Sequence, residues 1–263
     1  MNAGVAIVGM DRQRHVAIWL RMLAEKEIRL ARQTFRLLKM QGNQAKTAFE
    51  TGGQGAAEQV ITESLNPLYR LLTVSYSLTT TDFISYTFDQ LGAKKRTFQD
   101  IVQGFISKTA LEKSRLITGT TMDLMKAAIL KGQQDGAGET EIARAIQQSV
   151  GGSIAESRSR MIARTEIHNA ATYGMQAAAE ETQLKMTKEW VAVHDDRTRE
   201  AHADADGQIV GMDEPFEVDG ELIDRPGEGS AENSINCRCT VIYEPVSADV
   251  TGDSGGGEFI NGD

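Results

Sequence analysis

Between Asp11 and Met40 the apolar residues Val16, Trp19, Leu20, Leu23, Leu30, Leu37 and Leu38 recur at helical spacing. The intervening Arg and Lys residues are good helix formers, so the stretch reads as one long amphipathic helix. An apolar stripe of that length needs other elements to cover it, which commits the chain to a packed, helix-based architecture.

The glycines Gly42, Gly52, Gly53 and Gly55 punctuate the polar segment that follows and predict a loop. Asn66-Pro67 has the form of an N-cap and first helical residue, and Thr81-Asp82 offers a further helix start that Gly92 would close. Thr97 with Asp100, Thr121, and Ser153 with Glu156 mark later starts, predicting helices over 97–117, 121–134, 139–149 and 153–183. Gly119, Gly136-Ala137-Gly138 and Gly151-Gly152 separate them.

After Lys188 the texture changes to short β-rich runs and turns. Glu189 to Val193 reads as a strand, His194 to His202 as a short helix, and Asp219-Gly220 as the turn of a hairpin between Phe216-Glu217-Val218 and Glu221-Leu222-Ile223. Arg238 to Tyr243 reads as a closing strand. The fold class is therefore α+β, a predominantly helical N-terminal region with a small C-terminal α+β subdomain. The divisions read from the sequence are a helical region at 1–118, further helices at 119–185, the subdomain at 186–246, and a flexible Gly- and Asp-rich tail at 247–263.

The apolar run Val5-Ala6-Ile7-Val8 is too short for a membrane span and lacks the layout of a signal peptide, so a cytosolic compartment is expected, with no membrane partner. The formal charge of −9 is unevenly spread: residues 186–263 hold 5 Lys/Arg against 19 Asp/Glu, whereas residues 11–40 hold 8 against 3. A basic helix joined to an acidic end suits contact with two differently charged surfaces. Arg21, Arg29, Arg32 and Arg36 are its candidate partner-binding residues.

Chemistry-bearing residues gather between Trp190 and Tyr243. The spacing Cys237-Arg238-Cys239 puts both thiols on one face of an extended segment, near each other but poorly placed to form a disulfide. With His202, and with His194 or Asp195 as a fourth ligand, they would meet the tetrahedral nitrogen and sulfur preference of zinc. The plainer alternative is that the thiols pack as small apolar groups while His202 hydrogen-bonds to Asp195. His202 to Asp213 matches a calcium-loop pattern only in part, and Asp206-Gly207 is more simply a turn. A cysteine- or metal-dependent hydrolase or nuclease centred on His202, Cys237 and Cys239 is the competing function. No nucleotide-loop, zinc-protease or nucleophile-elbow motif accompanies these residues, and no catalytic residue is assigned. Arg164 and His168 are neighbours on one helix turn with Glu166 between them, a group suited to packing rather than catalysis.

In order, the chain carries Ala163-Arg164-Thr165-Glu166, Lys188-Glu189-Trp190, Asp196-Arg197-Thr198-Arg199 with His202, Asp206-Gly207, Pro215-Phe216, Pro226-Gly227 and Asn236-Cys237-Arg238-Cys239. Over roughly residues 120–245 this resembles the Mu F-like minor head, or head morphogenesis, proteins of tailed bacteriophages. The resemblance implies a non-enzymatic virion component that forms in the host cytoplasm and joins the phage head. It implies association with the portal and other head proteins, contact with packaged DNA, and no small-molecule substrate. One departure is Pro226-Gly227-Glu228-Gly229, where the family often has Pro-Gly-Asp and a small residue. Some members carry a toxin domain after this region, and the residues following Pro245 are too few to predict one here.

Overall fold

The structure is a computed structural model and describes residues 11–93 and 98–246. The five long helices are α1 (Arg12–Glu63), α2 (Leu65–Gln90), α3 (Gln99–Gln134), α4 (Glu139–Gly151) and α5 (Ser153–Glu181). They are followed by β1 (Met186–Val191), α6 (Glu200–Asp204), β2 (Ile209–Gly211), β3 (Phe216–Val218), β4 (Glu221–Ile223), α7 (Ala231–Ser234) and β5 (Thr240–Pro245). The α+β class read from the sequence is the one observed. The Val5 to Val8 run, Thr97 and the tail at 247–263 lie outside the described residues.

Helix α1 starts where the Asp11 carboxylate accepts the backbone N–H groups of Gln13 and Arg14. It does not stop near Met40. The predicted loop at 42–55 is helical, with a single break at Gly53 (φ 68°, ψ −161°). Gly42 is a packing residue rather than a terminator: a Cβ there would lie 2.7 Å from the backbone nitrogen of Gly151. Its bare backbone lets α1 and α4 approach closely, at the cost of its weak helix preference. Likewise α2 runs unbroken through Thr81-Asp82, and α3 through Gly119, merging helices that the sequence divided. Thr80 is fully buried, and Asp82 pairs with Lys26 of α1, so both serve tertiary contacts.

Two apolar cores hold the helices. Ala45, Phe49, Ala57 and Ile61 of α1 meet Met125 and Ile129 of α3 and Ile142, Ile146 and Val150 of α4. The larger core runs from Trp19, Leu23 and Leu30 through Leu72, Tyr76 and Phe83 of α2 and Ile167, Ala171 and Met175 of α5. It continues into Trp190, Phe216, Val241 and Tyr243, so helices and strands share one interior.

The sheet has the order β2-β1-β5 with both pairings antiparallel; Lys188 faces Val210 on one side and Tyr243 on the other. The hairpin β3-β4 forms as predicted, with Asp219 and Gly220 both at positive φ (52° and 73°). The helix expected over 194–202 is shorter: His194 has φ 55°, and α6 begins only at Glu200. Asp195 accounts for the difference, accepting the Arg197 N–H while its own N–H bonds to Thr198 Oγ1, a local turn that competes with helix. The closing strand starts at Thr240, leaving both cysteines in the segment that leads into it.

Candidate functional site

Residues 235–239 run beside the middle of α5, and the motif residues of that helix hold them there. Arg164 Nη1 donates to Asn236 Oδ1 at 3.0 Å, the Asn236 N–H donates to Thr165 Oγ1 at 3.1 Å, and His168 Nε2 pairs with the Cys239 carbonyl at 2.7 Å. Asn236 itself sits at φ 59°, a region that asparagine tolerates better than most residues. Arg199 donates to the Ile235 carbonyl, and the Trp19 indole N–H of α1 donates to the Arg238 carbonyl at 3.0 Å. The Arg238 side chain pairs with Asp195. Gly227 completes the cradle: at φ 87° its backbone lies over the buried His168 ring, and a Cβ would fall 2.5 Å from Nδ1. Thus Arg164, Arg199, Asn236 and Arg238 form a clamp. Glu166 faces the other way, accepting the buried Tyr76 hydroxyl, and burial raises its carboxyl above the usual range. Asp196 is exposed beside Arg197 and takes no part in the clamp.

The clamp aims both thiols at α6. His202, Cys237 and Cys239 are each at most 2% exposed, and their donor atoms lie within 4.8 Å of one another. His202 Nδ1 is 3.6 Å from Cys237 Sγ and 3.4 Å from Cys239 Sγ. Its Nε2 lies 3.2 Å from Asn233 Oδ1, while the Asn233 amide nitrogen donates to the Val218 carbonyl. That network places the ring proton on Nε2 and turns the Nδ1 lone pair to the sulfurs. Trp190 packs edge-on to His202 with ring centroids 5.7 Å apart. The two thiols hydrogen-bond to each other. Burial pushes Cys237 up, but its hydrogen bond with Cys239 and the nearby His168 ring outweigh this and hold it well below its ordinary value. Cys239 is raised by that same hydrogen bond and by burial, with the Trp190 indole N–H acting in the opposite sense.

His202, Cys237 and Cys239, grouped from the sequence as candidate zinc ligands, lie side by side in the structure. Neither proposed fourth ligand joins them: Asp195 is taken by Arg238 and its own turn, and His194 Nε2 pairs with Asp206 Oδ2 at 2.8 Å. His202 bonds to Asn233 rather than to Asp195. Asn233 went unnoticed in the sequence, although Ser230, which caps α7 through the Asn233 N–H, marks a short helix there. Beside the three side chains is a cavity of about 10 Å³, lined also by Thr198, Arg199 and Asn236. That is room for about one water molecule.

On α1, Arg21, Arg29, Arg32 and Arg36 are all exposed. At about 100° per residue they span about 80° of the helix surface. Arg32 also lines a cleft of about 550 Å³ between α1 and α5, with Arg160, Arg164 and Glu27. Burial raises the Glu27 carboxyl, and the Arg164 guanidinium beside it only partly offsets this.

A helical bundle whose fifth helix clamps an Asn-Cys-Arg-Cys segment against a small antiparallel sheet defines the class. Residues 123–242 match the model of the family described as Phage Mu protein F like protein. Minor head protein GP7 of Bacillus phage SPP1 is 38% identical over 120 residues, 44% of this chain and 38% of that protein. NAD(+)–arginine ADP-ribosyltransferase EFV of Enterococcus faecalis is 34% identical over 118 residues, 43% of this chain and 24% of that protein. The chain thus matches well under half the length of either relative. No solved structure matches significantly. Among the described residues no helix is long and apolar enough to cross a membrane.

Proposed function

We infer that this protein is a minor component of a phage head that acts in head morphogenesis by bridging partner proteins. The observation that carries this reading is the match of residues 123–242 to the Mu F-like family, together with the 38% identity to a named minor head protein. The clamp supports a scaffolding role, because motif side chains are spent on holding the backbone of residues 235–239 and the Asn236 side chain. The exposed basic face of α1 and the cleft beside Arg32, Arg160 and Arg164 suit an acidic surface of the portal or another head protein. Packaged DNA would meet the same arginines through its phosphates. The protein would form in the host cytoplasm and end in the virion.

A hydrolase or nuclease centred on His202 fits less well. Its presumed nucleophiles are buried, and the adjoining cavity of about 10 Å³ falls far below the few hundred Å³ of ordinary substrate pockets. The transferase activity in the second relative's name belongs to a protein of which only 24% is matched. The test is to delete the gene from the phage that carries it and complement with a tagged copy. Particles should carry the tag, and the tagged protein should co-purify with the portal. Normal, infectious particles without the protein would refute the assembly role.

A further inference from the structure

We propose that His202 Nδ1, Cys237 Sγ and Cys239 Sγ bind one zinc ion, with a water molecule as fourth ligand in the cavity beside Thr198, Arg199 and Asn236. The distances fit the ion. Zinc bonds of about 2.3 Å to sulfur and 2.0–2.1 Å to nitrogen, at tetrahedral angles, put nitrogen and sulfur about 3.6 Å apart. The structure has 3.6 and 3.4 Å.

The surroundings are those of a metal-bound imidazole. Nδ1 is free to coordinate because Nε2 is committed to Asn233, and Asn233 is oriented in turn by Val218 and Ser230. The donor set of two sulfurs and one nitrogen suits a borderline-soft ion and is poor for calcium or magnesium. The charges balance as well. Each thiol loses its proton to solvent as its sulfur–zinc bond forms, so two thiolates, a neutral imidazole, a water and Zn²⁺ sum to zero, the least costly state for a buried site. The ion would tie α6 to the 235–239 segment, fixing small elements that bury little apolar surface between themselves.

The full-length chain is stripped with a chelator, then titrated with zinc chloride and, separately, with cobalt chloride as a spectroscopic probe. The expected result is about one zinc per chain, a thiolate-to-cobalt charge-transfer band with tetrahedral d–d absorption, and slower amide exchange in residues 194–239. Cys237→Ser with Cys239→Ser should abolish both bands, whereas Asp195→Ala should keep them. Asn233→Ala should weaken binding by about 10–100-fold while leaving the spectrum in place. Cobalt titration of the unmodified chain does not depend on whether any variant folds. A chain that takes up no zinc and gives no thiolate–cobalt band, one whose cysteines form a disulfide as purified, or loss of the band in a folded Asp195→Ala protein would overturn the site.

Discussion

His15 should make the attachment of α1 to the sheet sensitive to acid. It is 1% exposed, with Nδ1 2.9 Å from the Tyr86 hydroxyl of α2 and Nε2 3.1 Å from Thr240 Oγ1 of β5. Both partners are neutral hydroxyls, and burial lowers the ring pKa from 6.5 to about 4. A lowered folded-state pKa means that the unfolded chain takes the proton first as pH falls. The stabilising contribution is therefore complete above pH 6.5 and is lost on descending toward 4. At 1.36 kcal/mol per pKa unit, the loss is roughly 2 kcal/mol at pH 5 and roughly 3 kcal/mol at pH 4. His15→Gln cannot titrate, so the stability difference between the parent and this variant should shrink by those amounts as the pH is lowered from 7.5. Urea unfolding at each pH, followed by the fluorescence of the buried Trp19 and Trp190, measures it. Other titrating groups cancel in the comparison. Unfolding free energies that stay parallel from pH 7.5 to 4 would show that His15 is not held neutral at this junction.

Glu166 should behave in the opposite sense: burial raises its pKa, so its contribution is present below the ordinary value of 4.5 and lost as pH climbs through the raised one. Glu166→Gln should therefore gain stability relative to the parent as pH rises from 4 to 8, and a constant difference in urea midpoint would count against this. Gly42→Ala puts a methyl 2.7 Å from the Gly151 nitrogen and should cost roughly 1–3 kcal/mol in urea unfolding, despite alanine's better helix propensity. An unchanged or higher midpoint would mean that α1 and α4 can move apart freely. Reversing Arg21, Arg29, Arg32 and Arg36 to Glu should leave helix content by circular dichroism unchanged, because all four are exposed and Glu forms helix about as well as Arg. Its amount in purified heads should fall, with co-purification in the parent weakened by added salt; full incorporation would remove this face from the assembly role.

Local patterning determined much of this protein. Apolar periodicity is a property of neighbouring residues, so the first amphipathic helix, the change of texture near residue 186 and the Asp219-Gly220 hairpin were all legible, as was the closeness of the Cys237 and Cys239 thiols. The family motif was readable for the same reason, as a string of residue types in order. Glycine was the systematic ambiguity. Gly42 and Gly119 look like punctuation, and only the approach of α4 shows that Gly42 lies inside a helix because another backbone passes beside it. The structure alone decided which partners each polar group finds. Asp195 and His202 appear linked along the chain, yet Asp195 is claimed by Arg238 and a local turn, while His202 is oriented by Asn233, thirty-one residues away. His15 gave no local sign of its role, because a histidine's protonation depends on burial and on hydroxyls brought to it from Tyr86 and Thr240. Spacing in sequence sets which face of an element a side chain occupies. Which groups satisfy it is settled only when distant elements pack, since most buried donors and acceptors then take their partners from elsewhere in the folded chain.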